Sequence, residues 1–333
     1  MTSLPESFTC YLVKKAGKDA IEAGVERRPM LELPAGEVLI RVEYSSLNYK
    51  DALAATGHPG VVRHFPHVPG IDAAGTVAAS DVKEFAAGQK VLVTSYELGS
   101  GRWGGWAEYV RVPADWVVPL PESLTSKDAM IYGTAGFTAA QCVLALKEHN
   151  VTPGKGEVVV TGATGGVGCF AVQFLARQGY RVAAVTGKAD QRDWLLSLGA
   201  ARVIGRSEVN DNSEKPLLKG QWAGAVDTVG GNTLATVLRG TDRSGCVAAC
   251  GLAGGSDLPM TVYPFILRGV TLAGIDSAWC PRNRRLEIWN LLAGDWKPVN
   301  LESLASKVPL LGLDEKIGAM LQGGHAGRTI VVL

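Results

Sequence analysis

A glycine-rich run near the middle of the chain constrains the fold most strongly. Val158 to Gly168 reads Val-Val-Val-Thr-Gly-Ala-Thr-Gly-Gly-Val-Gly, so an apolar strand passes through a tight turn into the start of a helix. The glycines permit a sharp turn, the close approach of a pyrophosphate, and packing of the helix against the strand. Phosphates would meet amides at a helix N-terminus, where the dipole favours negative charge. The run predicts a dinucleotide-binding loop over Gly162 to Gly168, which includes Ala163.

The sequence on either side of this run has the pattern of a strand-turn-helix-strand unit. Glu157 to Thr161 is a mainly apolar segment, as in a parallel sheet buried on both faces, and apolar residues recur with helical spacing from Phe170 to Leu175. The helix should end at Gly179, and a second strand should follow over Arg181 to Thr186. The alternative is an ordinary crossover that binds no ligand, because it uses the same elements.

The end of the second strand indicates which dinucleotide is bound. Thr186 to Lys188 offers no acidic residue that could hold a ribose 2′-hydroxyl, while Arg192 and Arg202 add positive charge nearby. This charge suits a 2′-phosphate, so the sequence predicts NADPH rather than NADH. The alternative is that Lys188 and Arg192 are solvated charges of a helix face that balance neighbouring aspartates.

Composition favours a two-domain α/β enzyme. The 333 residues are 47% hydrophobic and 20% charged, enough to bury a sizeable core. The formal net charge of +1 gives no electrostatic reason to expect nucleic acid or an anionic membrane as a partner. The start of the chain has no leader-like pattern, and the apolar stretch Met130 to Leu146 is short and interrupted by polar residues. We therefore expect a cytoplasmic protein without a membrane span.

The cysteines predict no metal site. Six are scattered along the chain, and the two that lie four apart, Cys246 and Cys250, belong to a segment with the pattern of a buried strand. No histidine or further cysteine lies near them in sequence, so they are interpreted as small apolar fillers.

The order of predicted elements divides the chain into two domains. The first part has short strands separated by proline and glycine, over Cys10 to Val13, Glu37 to Ser45, Gly75 to Ala78, Lys90 to Thr94 and Trp106 to Val112. Helices and apolar strands follow, over Asp128 to Leu146, the glycine-rich run, Arg202 to Ile204, Ala223 to Asp227 and Gly245 to Gly251. A strand over Val270 to Ile275, a helix over Arg284 to Leu292 and a strand over Arg328 to Leu333 should return to the first domain. We predict a substrate domain from residues 1–126 and 270–333 and a nucleotide domain from 127–269.

Several stretches together resemble a known family. Ser45 to Asp51, Val68 to Thr76 and the glycine-rich run resemble the zinc-independent medium-chain dehydrogenases/reductases of the quinone oxidoreductase type. Further stretches resemble the bacterial NADPH-dependent acrylyl-CoA reductase subgroup, namely Ile131 to Ala139, Trp222 to Gly230, Cys246 to Gly255 and Pro264 to Arg268. The resemblance covers nearly the whole chain.

The resemblance implies an α/β fold with two domains. A GroES-like, β-rich substrate domain would be built from both ends of the chain, with a Rossmann doubly wound parallel-sheet NADPH domain between them and an active site in the cleft. Homodimers are common in this superfamily. Zinc-dependent members have a histidine after the Pro-Gly pair, where this chain has Ile71. The resemblance therefore implies hydride transfer without a metal.

The implied reaction is reduction of an activated carbon-carbon double bond. An α,β-unsaturated thioester delocalises incoming charge into its own carbonyl, so it needs no Lewis acid, and the expected substrate is an acyl-CoA thioester such as acrylyl-CoA. Two alternatives remain open: an NADPH quinone or alkenal reductase on the same scaffold, and a non-catalytic NADPH-binding protein.

Tyr49 is the leading candidate for a catalytic residue, because the resemblance places its run beside the nicotinamide and a phenol can donate a hydrogen bond or a proton. Asn48 and Asp51 are the next candidates. The alternative is structural: Asn48 would satisfy a turn, Tyr49 would be a half-buried aromatic, and Lys50 would form a surface pair with Asp51.

The resemblance also implies which residues contact the dinucleotide, and the phosphates of a coenzyme A substrate would need cationic partners. Those facing the pyrophosphate are Thr164, Gly165, Gly166 and Val167, and those facing the adenosine phosphate are Thr186, Gly187, Lys188 and Arg202. Residues near the nicotinamide arm or elsewhere on the cofactor are Tyr49, Leu252, Ile266 and Ser277. The candidates for partners of coenzyme A phosphates are Arg63, Arg282, Arg284 and Arg285, although a basic cluster such as Arg282 to Arg285 is more often a solvated helix start.

Overall fold

The computed structural model describes residues 4–17 and 20–333, which form two compact units. The first unit runs to Thr134 and resumes over Ala278–Leu333, and the second is Ala135–Ser277. In chain order the strands are β1 (Ser7–Lys15), β2 (Ile21–Pro29), β3 (Val38–Leu47), β4 (Asp72–Ser80), β5 (Lys90–Thr94), β6 (Tyr109–Val112), β7 (Val118–Pro119), β8 (Glu157–Val160), β9 (Arg181–Val185), β10 (Arg202–Ile204), β11 (Trp222–Asp227), β12 (Thr241–Ala249), β13 (Thr271–Gly274), β14 (Ala305–Pro309) and β15 (Arg328–Val332). The α-helices are α1 (Tyr49–Ala55), α2 (Ser126–Glu148), α3 (Gly166–Arg177), α4 (Arg192–Ser197), α5 (Gly231–Arg239), α6 (Tyr263–Arg268), α7 (Arg282–Ala293) and α8 (Leu313–Leu321).

The second unit is built on a six-stranded parallel sheet in the order β10-β9-β8-β11-β12-β13. The chain moves outward from β8 to β10, and then restarts on the other side with β11, so the strand order reverses between β8 and β11. That reversal is the switch point beside which doubly wound sheets bind ligands, at the carboxyl ends of the strands. The strands read as apolar runs because both faces of the sheet are covered, and β11 is buried along its whole length.

Strand β13 corrects the predicted domain boundary. The segment was expected to return to the substrate domain, but Cys246 to Ala249 of β12 pair in parallel with Thr271 to Gly274, which makes β13 the sixth strand of the nucleotide-type sheet. The sequence of a short apolar strand does not indicate which sheet the strand joins. The second unit consequently spans 135–277, whereas 127–269 was predicted.

The first unit carries a seven-stranded sheet with the order β14-β15-β3-β4-β5-β7, with β6 also paired to β3, and a separate hairpin of β1 and β2. All its pairings are antiparallel except that of β14 with β15. One core lies beneath β1 and α8 and includes Phe8, Leu12 and Trp106. Strand β2 was not predicted from the sequence, because Ile21–Pro29 carries charges and no apolar run and is only partly buried.

Helix α2 contains a sharp irregularity at Gly133, whose φ of 49° and ψ of −156° are not helical. The expected apolar stretch, Met130 to Leu146, lies within this 23-residue helix. By length and composition α2 could cross a membrane, but 83% of its most apolar window is buried inside the protein. Core helices of globular proteins have the same property, because they are apolar all round.

Candidate functional site

The glycine-rich turn of the second unit has the close approaches that a phosphate loop requires. Gly162 has a φ of +58°, and a Cβ there would lie 2.3 Å from Oγ1 of Thr228. A Cβ on Gly168 would lie 2.3 Å from the carbonyl oxygen of Gly162, so α3 packs directly on the turn. Helix α3 begins at Gly166, and the first amides of a helix have no partner within it. These residues fit a pyrophosphate.

A buried carboxylate joins β8 to β11 at the switch point. Asp227 accepts hydrogen bonds from Oγ1 of Thr161 at 2.7 Å and from the backbone N–H of Gly230 at 2.7 Å. Burial raises the pKa of Asp227, and its hydrogen bonds oppose that shift. The carboxylate therefore fixes the ends of both strands beside the glycine-rich turn. No motif in the sequence marks it, because its role comes from pairing between distant strands.

Two cations lie together after the carboxyl ends of β9 and β10. The backbone N–H of Lys188 donates to Oγ1 of Thr186 at 3.0 Å, which shapes the turn. A Cβ on Gly187 would lie 2.6 Å from Nε of Arg206, so the guanidinium lies against this glycine. Burial lowers the pKa of Lys188, Asp190 opposes that shift and Arg206 adds to it. Two neighbouring positive charges suit a doubly charged phosphate.

The structure places Arg202 away from the glycine-rich turn. This residue begins β10, whereas Arg206 follows its carboxyl end. The Arg202 guanidinium donates to Glu157 at 2.9 Å, at the amino end of β8, and lies 5.5 Å from the ring centre of Trp222. It is therefore on the edge of the sheet opposite the glycine-rich turn. Arg206 is the arginine that sequence reasoning missed, because a four-residue difference decides which edge of a sheet a side chain reaches.

The remaining predicted cofactor residues lie on less constrained segments. Leu252 is 67% exposed in the loop after β12, where Gly254 donates its N–H to the carbonyl of Val229 at 2.7 Å. Ser277 follows the carboxyl end of β13. Both are on the same sheet edge as the glycine-rich turn. Ile266 is 68% exposed on α6.

In the first unit, Asp51 anchors the start of α1. The side chain is fully buried, and its Oδ1 accepts hydrogen bonds from the backbone N–H groups of Gly70 at 3.1 Å and Ile71 at 2.8 Å. Its Oδ2 accepts the backbone N–H of Asn48 at 2.8 Å, as an acidic residue three positions after a helix cap commonly does. Asp51 therefore ties the helix start to the loop before β4.

Asp72 forms the second half of the same buried polar cluster. Its Oδ1 accepts Oγ1–H of Thr134 at 2.6 Å, and its Oδ2 accepts Oγ–H of Ser46 at 2.5 Å and the side-chain amide of Asn48 at 2.8 Å. The guanidinium of Arg328 lies 3.9 Å from Asp72 and donates to Oδ1 of Asn48 at 3.0 Å. Asn48 thus bridges both carboxylates and the arginine.

Burial and the neighbouring charge of this cluster determine the protonation of Asp51. Burial and the neighbouring negative charge of Asp72 raise the pKa of Asp51 to about 7, and the hydrogen bonds from Asn48 and Ile71 oppose them. The Arg328 guanidinium lies 3.9 Å from Asp72, and ionisation of Asp51 beside Asp72 would add a second negative charge to a dry site.

Tyr49 is the exposed residue of its run. It is the first residue of α1 and is 51% exposed, directly after Asn48, which is 9% exposed. Tyr49 has no side-chain hydrogen bond within residues 4–17 and 20–333. The expectation that Asn48 and Asp51 act directly on a substrate is not supported, because both are buried and their polar atoms hold the helix start. The suggested surface pair of Lys50 with Asp51 is wrong for the same reason.

The described part of the chain contains no cluster of three or more histidine, cysteine, aspartate or glutamate residues suited to a metal ion. Ile71, where the family resemblance places the histidine of zinc-dependent members, is buried and donates its backbone N–H to Asp51. Cys246 and Cys250 are free thiols, and burial raises the pKa of Cys246 to about 11.

Two family models match the chain. Residues 34–122 match the alcohol dehydrogenase GroES-like domain, and residues 166–292 match the zinc-binding dehydrogenase domain. The first match lies in the unit that holds Tyr49, and the second begins at α3.

Three similar proteins extend over almost the whole chain. YhfP of Bacillus subtilis, named as a quinone oxidoreductase, is 48% identical over 98% of this chain and 99% of its own, and its structure with NAD bound gives a TM-score of 0.95. The acrylyl-CoA reductase AcuI of Ruegeria pomeroyi is 47% identical over 93% of this chain and 94% of its own. The yhdH oxidoreductase of Salmonella enterica, solved in complex with NADP, is 48% identical over 98% of this chain and 99% of its own, with a TM-score of 0.95.

These likenesses confirm the predicted fold class and enzyme class. The seven-stranded first unit matches a GroES-like domain, and the six-stranded second unit has the strand order of a doubly wound nucleotide-binding sheet. The chain therefore belongs to the zinc-independent medium-chain dehydrogenases/reductases of the quinone oxidoreductase type.

Proposed function

We propose that the protein reduces the carbon-carbon double bond of an α,β-unsaturated acyl-CoA with NADPH, converting acrylyl-CoA to propionyl-CoA. The observation that carries this proposal is the exposed phenol of Tyr49, held at a helix start by a fully buried polar cluster. A neutral donor that projects from an anchored helix start suits a substrate whose own carbonyl takes up the charge. The 47% identity to AcuI supports the same substrate class.

We propose NADPH as the cofactor because of the charge beside the second strand. Lys188 and Arg206 lie next to Gly187, and the turn has no acidic residue to bind a ribose hydroxyl. The glycine-rich turn leaves room for the pyrophosphate. Relatives have been solved with NADP and with NAD bound.

The proposed reduction needs a hydride source, a hydrogen-bond or proton donor, and residues that position this donor. Bound NADPH supplies the hydride equivalent that reduces the β-carbon. Tyr49 donates a hydrogen bond to the thioester oxygen as negative charge develops there, or a proton to the α-carbon. Asn48 and Asp51 are positioning residues, because their hydrogen bonds fix the turn from which Tyr49 projects.

A quinone reductase is the second candidate. The name of YhfP favours it, and a phenol donor would serve a quinone oxygen as well as a thioester oxygen. The two candidates differ in the acceptor and share the cofactor, the fold and the role of Tyr49.

An assay of NADPH consumption separates them. We expect acrylyl-CoA to be reduced with a higher kcat/KM than crotonyl-CoA or benzoquinone, and NADH at the same concentration to support a lower rate. A clear preference for benzoquinone would overturn the thioester substrate, and equal rates with NADH would overturn the cofactor preference.

We also propose that the working form is a homodimer in the cytoplasm, as the family resemblance implies. Sedimentation of the purified protein tests the oligomeric state, and a monomer at assay concentration would contradict it.

A further inference from the structure

A pocket in the first unit lies beside α1. Its volume is about 340 Å³, at the lower end of the range for small-molecule sites. We call it the Trp279 pocket, lined by Lys50, Gly60, Val61, Arg63, His64, Tyr96, Glu97, Ser100, Gly101, Ala278 and Trp279. Lys50 directly follows Tyr49, so the pocket begins next to the proposed proton donor.

The lining of the Trp279 pocket includes basic side chains that form no ion pair with the other described residues of the protein. Lys50, Arg63 and His64 are exposed and form no hydrogen bond or ion pair through their side chains within the described residues. Glu97 is the acidic residue of the lining. Basic side chains without carboxylate partners around a pocket favour an anionic ligand.

The other arginines that could have bound an anion are already occupied. Arg282 donates to Glu84 at 2.6 Å, and Arg284 donates to Glu287 at 3.3 Å. Arg285 is fully buried and donates to Thr94 at 2.9 Å. The predicted basic cluster at the start of α7 therefore has partners within the protein, whereas Arg63 lines the Trp279 pocket.

The indole of Trp279 lines the pocket and packs against neighbouring rings. Trp279 is 59% exposed and packs edge-on against Tyr96, with ring centres 5.8 Å apart. Tyr96 is itself stacked on Trp116 at 5.2 Å, and the guanidinium of Arg285 lies 4.3 Å from its ring. The indole is thus supported from behind while more than half of its surface stays open for stacking.

The backbone under Tyr96 is strained. Ser95 and Tyr96 have φ values of +63° and +53°, in the left-handed region that residues other than glycine rarely adopt. The N–H of Ser95 donates to the carbonyl of Ile71 at 2.7 Å, and the N–H of Tyr96 donates to that of Ala278 at 3.3 Å. Such strain persists where the surroundings fix it, commonly at ligand sites.

We infer that the Trp279 pocket binds the phosphorylated adenosine end of the coenzyme A thioester, with Lys50 and Arg63 on its phosphates and Trp279 stacked on its adenine. This inference rests on the proposed function, because it concerns the same substrate. A coenzyme A thioester carries its acyl group and its phosphates at opposite ends of one flexible arm. A quinone has no phosphate, so these basic side chains favour the thioester.

The test compares acrylyl-CoA with the acryloyl thioester of N-acetylcysteamine, which keeps the reactive group and lacks the phosphates and adenine. The measured quantity is the ratio of the two kcat/KM values. We expect Arg63→Ala and Lys50→Ala each to lower this ratio about tenfold, since each removes a charged contact. Lys83→Ala, an exposed lysine outside the pocket, is the matched control and should leave the ratio unchanged. A ratio that the pocket variants do not change would overturn the inference.

Calorimetric titration with free coenzyme A gives a second, activity-independent readout. We expect Arg63→Ala to weaken coenzyme A binding about tenfold relative to the wild type and to Lys83→Ala. Because NADPH also carries phosphates and adenine, the titration is repeated with saturating NADPH. Displacement of coenzyme A by NADPH would assign it to the cofactor site and overturn the inference. If neither thioester is reduced, the proposed function fails, and this titration still decides whether the pocket binds coenzyme A.

Discussion

Tyr49 presents an exposed phenol from a helix start that Asp51 anchors, which suits a proton or hydrogen-bond donor. We expect Tyr49→Phe to lower kcat with acrylyl-CoA by about 10² to 10⁴. Stability should change little, because the hydroxyl has no partner among the described residues and the side chain is half exposed. Tyr263→Phe, another half-exposed tyrosine, is the control. Full turnover by Tyr49→Phe would show that solvent or another group supplies the proton.

Asp51 should make stability depend on pH. Its pKa is about 7 in the folded protein and 3.8 when unperturbed, so between these values the folded state holds a proton that the unfolded chain has released. Its contribution to stability is complete below pH 3.8 and is lost as the pH rises through 7. From about pH 5.5 to about pH 8 the loss should be on the order of 1 to 2 kcal/mol.

Urea unfolding of the wild type and of Asp51→Asn at these two pH values measures this effect. The variant carries a neutral side chain at both, so its free energy of unfolding should vary less with pH than that of the wild type. Equal pH dependence in the two proteins would contradict a proton on Asp51.

Arg206 and Arg202 provide a matched pair for the cofactor site. We expect Arg206→Ala to raise KM for NADPH about tenfold or more and to change KM for NADH little, because only NADPH has a 2′-phosphate. Arg202→Ala should leave the NADPH preference intact, since its guanidinium is bound to Glu157 on the opposite sheet edge. Loss of the preference in Arg202→Ala alone would contradict this assignment.

Candidate site residues were proposed from the sequence where a short continuous run contains them, as for the glycine-rich turn, Lys188 and Tyr49. Asp72 and Arg328 were missed, because they meet only when β15 pairs with β3 and β3 pairs with β4. Arg202 was predicted as a cofactor residue and Arg206 was not, because sequence proximity to a strand does not specify which end of the strand a side chain occupies.

At the scale of elements, the packing of α3 on the glycine-rich turn is the most demanding contact. We expect Gly168→Ala to destabilise the protein by about 1 to 3 kcal/mol and to weaken NADPH binding, because its Cβ would lie 2.3 Å from the carbonyl oxygen of Gly162. Gly318→Ala is the control, since a Cβ there meets nothing within 4 Å and alanine favours the helix α8 by about 0.5 to 1 kcal/mol. Thermal unfolding and NADPH titration measure both effects. Equal stability of the two variants would contradict the tight packing.

Elements with a continuous apolar pattern were predicted closely. The predicted strands Lys90 to Thr94 and Arg202 to Ile204 coincide with β5 and β10, and α2 extends the predicted helix by two residues at each end. Helices α1 and α8 were missed, because α1 is short and α8 is interrupted by charged residues and a glycine. The sheet to which β13 belongs depends on its partner, which no local pattern contains.

At the scale of the whole molecule, fold and family were predictable because three distant motifs agree on one architecture. The substrate is a finer property. Relatives of nearly equal identity are named for a quinone and for an acyl-CoA, so the general scaffold does not decide between them. The proposed acyl-CoA substrate depends instead on Tyr49 and on the basic lining of the Trp279 pocket.

Mass spectrometry of the product shows whether the cofactor reduces the double bond of the thioester. With acrylyl-CoA and NADPH deuterated at the transferred position of C4, we expect propionyl-CoA carrying one deuterium on its β-carbon. With unlabelled NADPH in deuterated water, we expect one deuterium on the α-carbon. Deuterium from NADPH on the α-carbon, or no propionyl-CoA while benzoquinone is reduced, would contradict the proposed function.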